Sequence, residues 1–330
     1  MSRAQAGSRR VTIVMYHYVR DLRRSAFPRI KALDLAAFRA QLEFLSRHYT
    51  AIGAGDLIGA VKHGHTLPPR ALLLTFDDGY AEHFTEVLPL LEARQWQGCF
   101  FPVADAVTGH RVLDVNKLHF ILAATTDAGA LASHVLDAVE ANGARLGLDP
   151  PDVYRARCGT VSRYDPPDVT FVKRMLQREL PESFRAGLID ELFRTHVTRD
   201  EASFAADLYV SVAQLAEMVD RGMYVGSHGC GHYWMDTLTP AGQAREIDAS
   251  LAFLRSIGAA TSDWIMCYPY GGFDASLLDI VRQRGCAAGL AVTVGVADLS
   301  ADDPLTLPRL DTNDLPTAAG APAGTWTAQA

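Results

Sequence analysis

Residues 71–79 read ALLLTFDDG. A continuous apolar run closing on Asp77, Asp78 and Gly79 reads as a strand covered on both faces and ended by a turn. Strands covered on both faces belong to parallel sheets packed under helices. The same pattern recurs on either side of this stretch. VTIVMY (11–16) precedes it, and GCFFPVA (98–104), MYVGS (223–227), WIMCYP (264–269) and AAGLAV (287–292) follow. Helical periodicity fills the gaps: Leu35, Phe38, Leu42 and Leu45; then Leu88, Leu90 and Leu91; then SVAQLAEMVDRG (211–222), Pro240 to Ile257, and Leu277 to Arg284. Repeated β-α order of this kind predicts the α/β class, as a distorted (β/α) barrel of about seven strands.

One region breaks the alternation. From 104 to 206 the periodicity is helical throughout, in NKLHFILAA, LASHVLDAVEANGARL, DVTFVKRMLQREL and ESFRAGLIDELFRTHV, with a Pro-rich spacer at 149–168. The expected organisation is therefore a barrel from 10–103 and 207–316, with a helical subdomain inserted at 104–206. The insertion reads as a cap or a dimerisation element. Its apolar positions Leu118, Phe120, Ile121, Phe171, Met175 and Leu176 must be covered, by the chain itself or by a second copy in a homodimer. The tail 317–330, small and polar, is expected to be disordered.

Composition excludes several function classes. With 31 Lys+Arg against 38 Asp+Glu, the net charge of −7 argues against a nucleic-acid partner. The first apolar run, about six residues long, is too short for a signal-peptide core or a membrane span, so a cytoplasmic location is expected. Five cysteines without Cys-x-x-Cys spacing read as free thiols.

Three motifs sit where strands end, which is where barrel sites form. In TFDDGY (75–80), adjacent carboxylates can divide tasks: one holds a cation and the other takes a proton. Alone, Asp-Asp-Gly is more often a solvated turn. In SHGCGH (227–232), His228 and His232 are spaced i, i+4, and on a helical turn they would share one ion. Cys230 would then point away and pack. Two histidines and a carboxylate suit a divalent ion, with zinc expected, and leave a position open. In YPYGG (268–272), Tyr270 can offer a backbone N–H to an oxyanion, although a plain turn with a packed aromatic is the commoner meaning.

In this order, and each closing an apolar strand, the three motifs resemble the polysaccharide deacetylase family (carbohydrate esterase family four). VMYHYV near the start and the lead-in to SHG add to the likeness. The resemblance implies a distorted α/β barrel with one divalent metal held by Asp78, His228 and His232. It also implies Asp77 as general base, Tyr270 N–H at the oxyanion, Pro269 at the substrate, and removal of an N-acyl group from an amino sugar. Nucleotide-linked, lipid-linked and oligosaccharide forms of that sugar all fit. Intracellular glycan or lipopolysaccharide assembly is the expected setting.

Departures from the family pattern bear on this reading. Cys267 stands where the family has an arginine that steadies the base, and Gly229 replaces a Ser or Thr. The late Leu-x-His, source of the general acid, is absent, and the sequence there reads LPRLDTNDLP. His17, at the end of the first strand, is the nearest replacement; a structural histidine is the competing reading. His119 is a weaker candidate. Arg309 and Asp311 are expected at the substrate or supporting Asp77. A catalytically weak sugar-binding homologue, or release of another acid such as formate, are the alternatives that these departures leave.

Overall fold

The computed structural model describes residues 8–162 and 165–330. Residues 1–7, part of the N-terminal stretch considered for targeting, and 163–164 of the spacer lie outside the described residues. The chain divides into two compact units, one of 1–21, 32–111 and 205–330, the other of 22–31 and 112–204.

The first unit is built on seven short strands: β1 (Arg10–Tyr16), β2 (Ala71–Asp78), β3 (Gly98–Pro102), β4 (Tyr224–Val225), β5 (Trp264–Cys267), β6 (Cys286–Leu290) and β7 (Leu310–Asp311). β1 pairs in parallel with β2, β2 with β3, β3 with β4, and β5 with β6. A parallel bridge from Ser227 to Met266 joins β4 to β5, and one from Leu290 to Leu307 leads from β6 towards β7. β7 then pairs in parallel with β1, through Val14 and Leu310, and the ring closes.

The two-residue period of a strand sorts side chains between the inside and the outside of this ring. Val11, Ile13, Leu73, Cys99, Phe101, Ile265, Cys267, Ala288, Leu290 and Leu307 form one buried cluster drawn from strands all around the barrel, which places them in its interior. The alternate positions Val14, Leu72, Leu74, Phe76, Phe100, Val225 and Met266 pack outward. They meet the apolar stripes of the helices Leu35–His48, Val212–Asp220, Pro240–Ser256 and Ala275–Gln283. Ser211 and Gln214 form a capping box that starts the second of these helices, Val212–Asp220, at the place where the lead-in to SHG was expected to be helical.

The second unit is helical, with Asp114–Ala124, Ala128–Leu146, Pro151–Cys158, Pro167–Arg174 and Glu182–His196. Residues 22–31 belong to it, and Phe27 meets Phe120 and Phe204 edge-on. The sequence pattern does not reveal this excursion. Leu118, Phe120, Ile121, Phe171, Met175 and Leu176 are all buried within the single chain. These six positions are thus covered by the chain itself. Lys117, fully buried, is held by Asp190 at 2.5 Å and Glu201 at 2.8 Å.

The tail also departs from expectation. Thr325–Gln329 is a short helix, and Thr327, 3% exposed, bonds to the Tyr49 hydroxyl at 3.1 Å. Trp326 packs on the outer core, so apolar burial ties down a segment that composition made look free. Among the described residues, no helix is long and apolar enough to cross a membrane.

Candidate active site

Strand parity puts the first aspartate inside the barrel. Along β2, residues 71, 73, 75 and 77 share a face, so Asp77 extends the interior row at its C-terminal end. Cys267 and Arg309 reach it, while the Thr75 hydroxyl donates to the Val14 carbonyl and accepts from Arg309. Arg309 Nη1 lies 3.1 Å from Asp77 Oδ1 and 2.9 Å from Oδ2, and 3.2 Å from the Thr75 hydroxyl. Its Nε donates to the Ala291 carbonyl at 2.9 Å. The Cys267 thiol donates to Asp77 Oδ2 at 3.2 Å. Burial pushes the Asp77 carboxyl up, but Arg309, then His228 and His17, outweigh it and hold the group below its usual range.

Regular pleating would turn the next residue outward. Asp78 does not follow, because its backbone is left-handed at φ 72° and so is that of Gly79. This kink aims Asp78 at the barrel mouth. There Oδ1 lies 3.3 Å from His228 Nε2 and 3.4 Å from His232 Nε2. The other oxygen, Oδ2, accepts the Tyr80 hydroxyl at 2.5 Å.

The histidines converge by a route different from the expected helical turn. Residues 227–232 form an irregular loop with left-handed φ at Gly229 (74°) and His232 (58°). One carboxylate oxygen of Glu246 accepts the N–H groups of Cys230 and Gly231, at 2.9 and 2.8 Å, and fixes the bend. Cys230 turns its thiol to Asp105 at 3.2 Å, away from the histidines. Ser227 anchors the start of the loop, receiving the Cys267 N–H on its carbonyl at 2.8 Å.

His228 Nδ1 bonds the Cys267 carbonyl at 2.8 Å. A carbonyl only accepts, so that nitrogen carries a proton, and Nε2 is the nitrogen turned to Asp78. Asp78 Oδ1 is buried and has no hydrogen-bond partner. A carboxylate oxygen facing two imidazole nitrogens in a dry site requires positive charge among them. Burial lowers both imidazoles; at His228 the adjoining Cys267 and Asp78 reverse this, while at His232 burial prevails. Asp78, His228 and His232 offer ligand atoms within 4.8 Å of one another, and the donor set of two nitrogens and one oxygen fits a divalent ion. Asp77, His228 and Cys267 also cluster, but Asp77 is already paired with Arg309, and burial keeps the Cys267 thiol protonated.

The other expected residues fall as follows. His17 follows β1, is 41% exposed at the side chain, and brings Nε2 to 4.0 Å from Asp77 Oδ2. Its carbonyl is bonded to His83 Nε2 at 2.8 Å. Tyr270 has left-handed backbone at φ 56°, with its ring stacked on Trp234 at 4.6 Å and edge-on to His232. Asp78, His232 and Tyr270 thus all hold a backbone conformation that non-glycine residues rarely take, as strained functional sites do. Pro269 is buried in the short turn after β5. Arg309, expected at the substrate or supporting Asp77, is 1% exposed and paired with Asp77. Asp311 caps the turn that follows it, accepting the Asn313 N–H at 2.9 Å. His119 belongs to the helical unit, and the motifs belong to the other. Sequence reasoning assigned no role to Tyr80, His83, Trp234 or Glu246. Of these, only Tyr80 lay inside a quoted motif.

Residues 64–147 and 192–289, more than half of the chain, match the family model described as polysaccharide deacetylase. The chain belongs to the polysaccharide deacetylase family. Over 95 residues it is 34% identical to the poly-beta-1,6-N-acetyl-D-glucosamine N-deacetylase of Escherichia coli K12; the match takes in 28% of this chain and 14% of that protein. Among solved structures, the fold of this family member resembles the Streptococcus pyogenes deacetylase PplD in complex with acetate, with a TM-score of 0.57, 14% identity and 92% of each chain covered. It also resembles the deacetylase domain of BpsB from Bordetella bronchiseptica, with a TM-score of 0.53, 17% identity and coverage of 93% and 97%. IcaB from Ammonifex degensii gives the same TM-score and identity over 93% and 92% of the two chains. At such identities the likeness establishes the barrel and leaves the chemistry to the side chains.

Proposed function

We propose that this chain is a metal-dependent amidohydrolase that removes an N-acyl group, acetyl first, from a glucosamine-type amino sugar. The observation that carries the reading is the orphaned Asp78 Oδ1 facing two imidazole nitrogens, with the ion-paired Asp77 one residue away. Asp78, His228 and His232 would hold the ion, zinc being the first to test. A divalent ion bound there would polarise the acyl oxygen and make water more acidic.

The chain's own residues do the rest. Asp77, kept ionised beside Arg309, takes a proton from the attacking water as its oxygen bonds to the acyl carbon. The Tyr270 N–H stabilises the charge that develops on the acyl oxygen. As the C–N bond breaks, the amine leaves with a proton from His17, the histidine that stands beside Asp77 at the open side of the mouth. The products are the free amine and a small carboxylic acid.

The E. coli relative's name makes N-acetylglucosamine polymer the first substrate to try. Five free cysteines favour a reducing compartment, and with it cytoplasmic glycan assembly on a nucleotide- or lipid-linked sugar. Both forms are incubated with the zinc-loaded protein and the released acid is identified by proton NMR. Acetate that disappears on chelation supports the reading, and formate would change the acyl group. Release from polymer alone would move the setting away from carrier-linked assembly. No acid from any form, with zinc bound and the protein folded, overturns the hydrolase.

A further inference from the structure

Asp78 has two oxygens, and they live in different surroundings. Oδ1 faces the nitrogens of His228 and His232. Oδ2 is 2.5 Å from the Tyr80 hydroxyl. An ionised carboxylate only accepts, so the phenol is the donor. Tyr80 is fully buried, and its ring has little room to move. It stacks on Tyr18 at 4.0 Å and lies parallel to Tyr209 at 6.2 Å, with His83 edge-on at 5.5 Å. The backbone contributes as well, since a bridge pairs Tyr80 with Tyr209.

We propose that Tyr80 is a positioning residue for the metal site: its hydroxyl claims one oxygen of Asp78 and leaves the other as a single-oxygen ligand. The inference rests on the reading of Asp78, His228 and His232 as ligands. The reasoning is steric and electrostatic. A carboxylate on a left-handed residue at a strand end has a free χ2 rotation and could turn both oxygens to an ion. A buried charge-assisted hydrogen bond from a clamped phenol removes that freedom. It also keeps Oδ2 satisfied, which a dry site demands. Coordination positions that a two-oxygen grip would fill stay open for water and the acyl oxygen. Tyr80 touches neither, so its effect reaches the reaction only through Asp78.

The test reads metal binding, not turnover. Zinc affinity is measured by competition with a chromogenic chelator on the intact chain, and the visible spectrum of the Co2+-loaded protein reports coordination. Tyr80→Phe is expected to lower zinc affinity roughly 10–100-fold, the usual effect of losing an outer partner, and to change the Co2+ spectrum. Tyr18→Phe, which keeps the ring stack but removes a hydroxyl bonded to Tyr80, is expected to change both in the same direction and by less. Should Tyr80→Phe fail to fold, 4-aminophenylalanine at 80, which retains a weaker donor, carries the test with an intermediate affinity. Parental affinity and an unchanged spectrum in the position-80 variants overturn the role of Tyr80 alone. Absence of zinc binding by the parent, or binding unaffected by His228→Ala, overturns it together with the metal reading.

Discussion

Asp77 and Asp78 are neighbours in sequence and opposites in environment. On the Asp77 side of the mouth the carboxylate itself is satisfied, with the Arg309 guanidinium and the Cys267 thiol both on it and the Thr75 hydroxyl on the guanidinium. The Asp78 side is incomplete, with a buried oxygen that lacks any donor. One side carries its own cation, and on the proposed reading the other receives one. Strand parity creates the difference, because Asp77 obeys the pleat and Asp78, at φ 72°, leaves it. Two identical side chains thus acquire separate tasks from a single backbone kink.

The strongest test of this division replaces Asp77 by Asn. Turnover should fall about 10²–10⁴-fold, the contribution of a general base, while zinc affinity stays near the parental value. Loss of zinc along with turnover would merge the two sides into one site. Next in size is Arg309→Met. It leaves Asp77 buried without its cation, and breaking a buried pair costs about 3–5 kcal/mol, read as a lower urea midpoint. Adding Asp77→Asn to Arg309→Met should return part of that loss. If the double variant is no better than the single, Arg309 acts through packing and not through charge.

His83 gives the comparison a third term, a buried group with neither cation nor metal. Burial, outweighing its bond to the His17 carbonyl and the pull of Asp78, lowers it from 6.5 to about 4. The folded state therefore binds its proton later than the unfolded state as pH falls. Stability is full above pH 6.5 and is lost progressively toward pH 4, by about 3 kcal/mol from the linkage relation. His83→Gln keeps an N–H donor and cannot titrate, so the slope of urea midpoint against pH should flatten over that window. An unchanged slope would assign the pH dependence to other groups.

The same contrast explains what the sequence could tell. The Asp78 side was legible because its parts are local: a strand end, an Asp-Asp-Gly, and two histidines four apart. Even there the mechanism of convergence was not, since the helical turn expected at 227–232 is a loop bent by Gly229 and held by Glu246, fourteen residues past His232. The Asp77 side was half legible. The departure from the family arginine at Cys267 was plain, and Arg309 was among the residues expected at the substrate or supporting Asp77, but choosing between those roles depends on ring closure through β7. That strand keeps only Leu310 and Asp311 in regular pairing, too little for any pattern of apolar residues to announce. Barrel strands with four or more apolar residues were readable, and the seam that seals the barrel was not. Residues 22–31 joined the helical unit for a similar reason, because Phe27 finds its aromatic partners about ninety and one hundred eighty positions away.

The smallest expected effect sharpens the Asp77 side most. Cys267 and Arg309 both donate to Asp77 Oδ2, at 3.2 and 2.9 Å. If the position that lost an arginine still steadied the base, Cys267→Ala would behave as a weaker Arg309→Met. The physical case runs the other way. A thiol is a weak, neutral donor, whereas a guanidinium is charged and never loses its proton. Cys267→Ala keeps Arg309 on both oxygens of Asp77, so the carboxylate stays paired, and the cost is that of one ordinary hydrogen bond, about 1 kcal/mol. Turnover should stay within a few-fold of the parent by the same conversion. A collapse of turnover in Cys267→Ala, with the fold intact by circular dichroism, would return the steadying role to position 267 and leave Arg309 as a packing residue of the barrel seam.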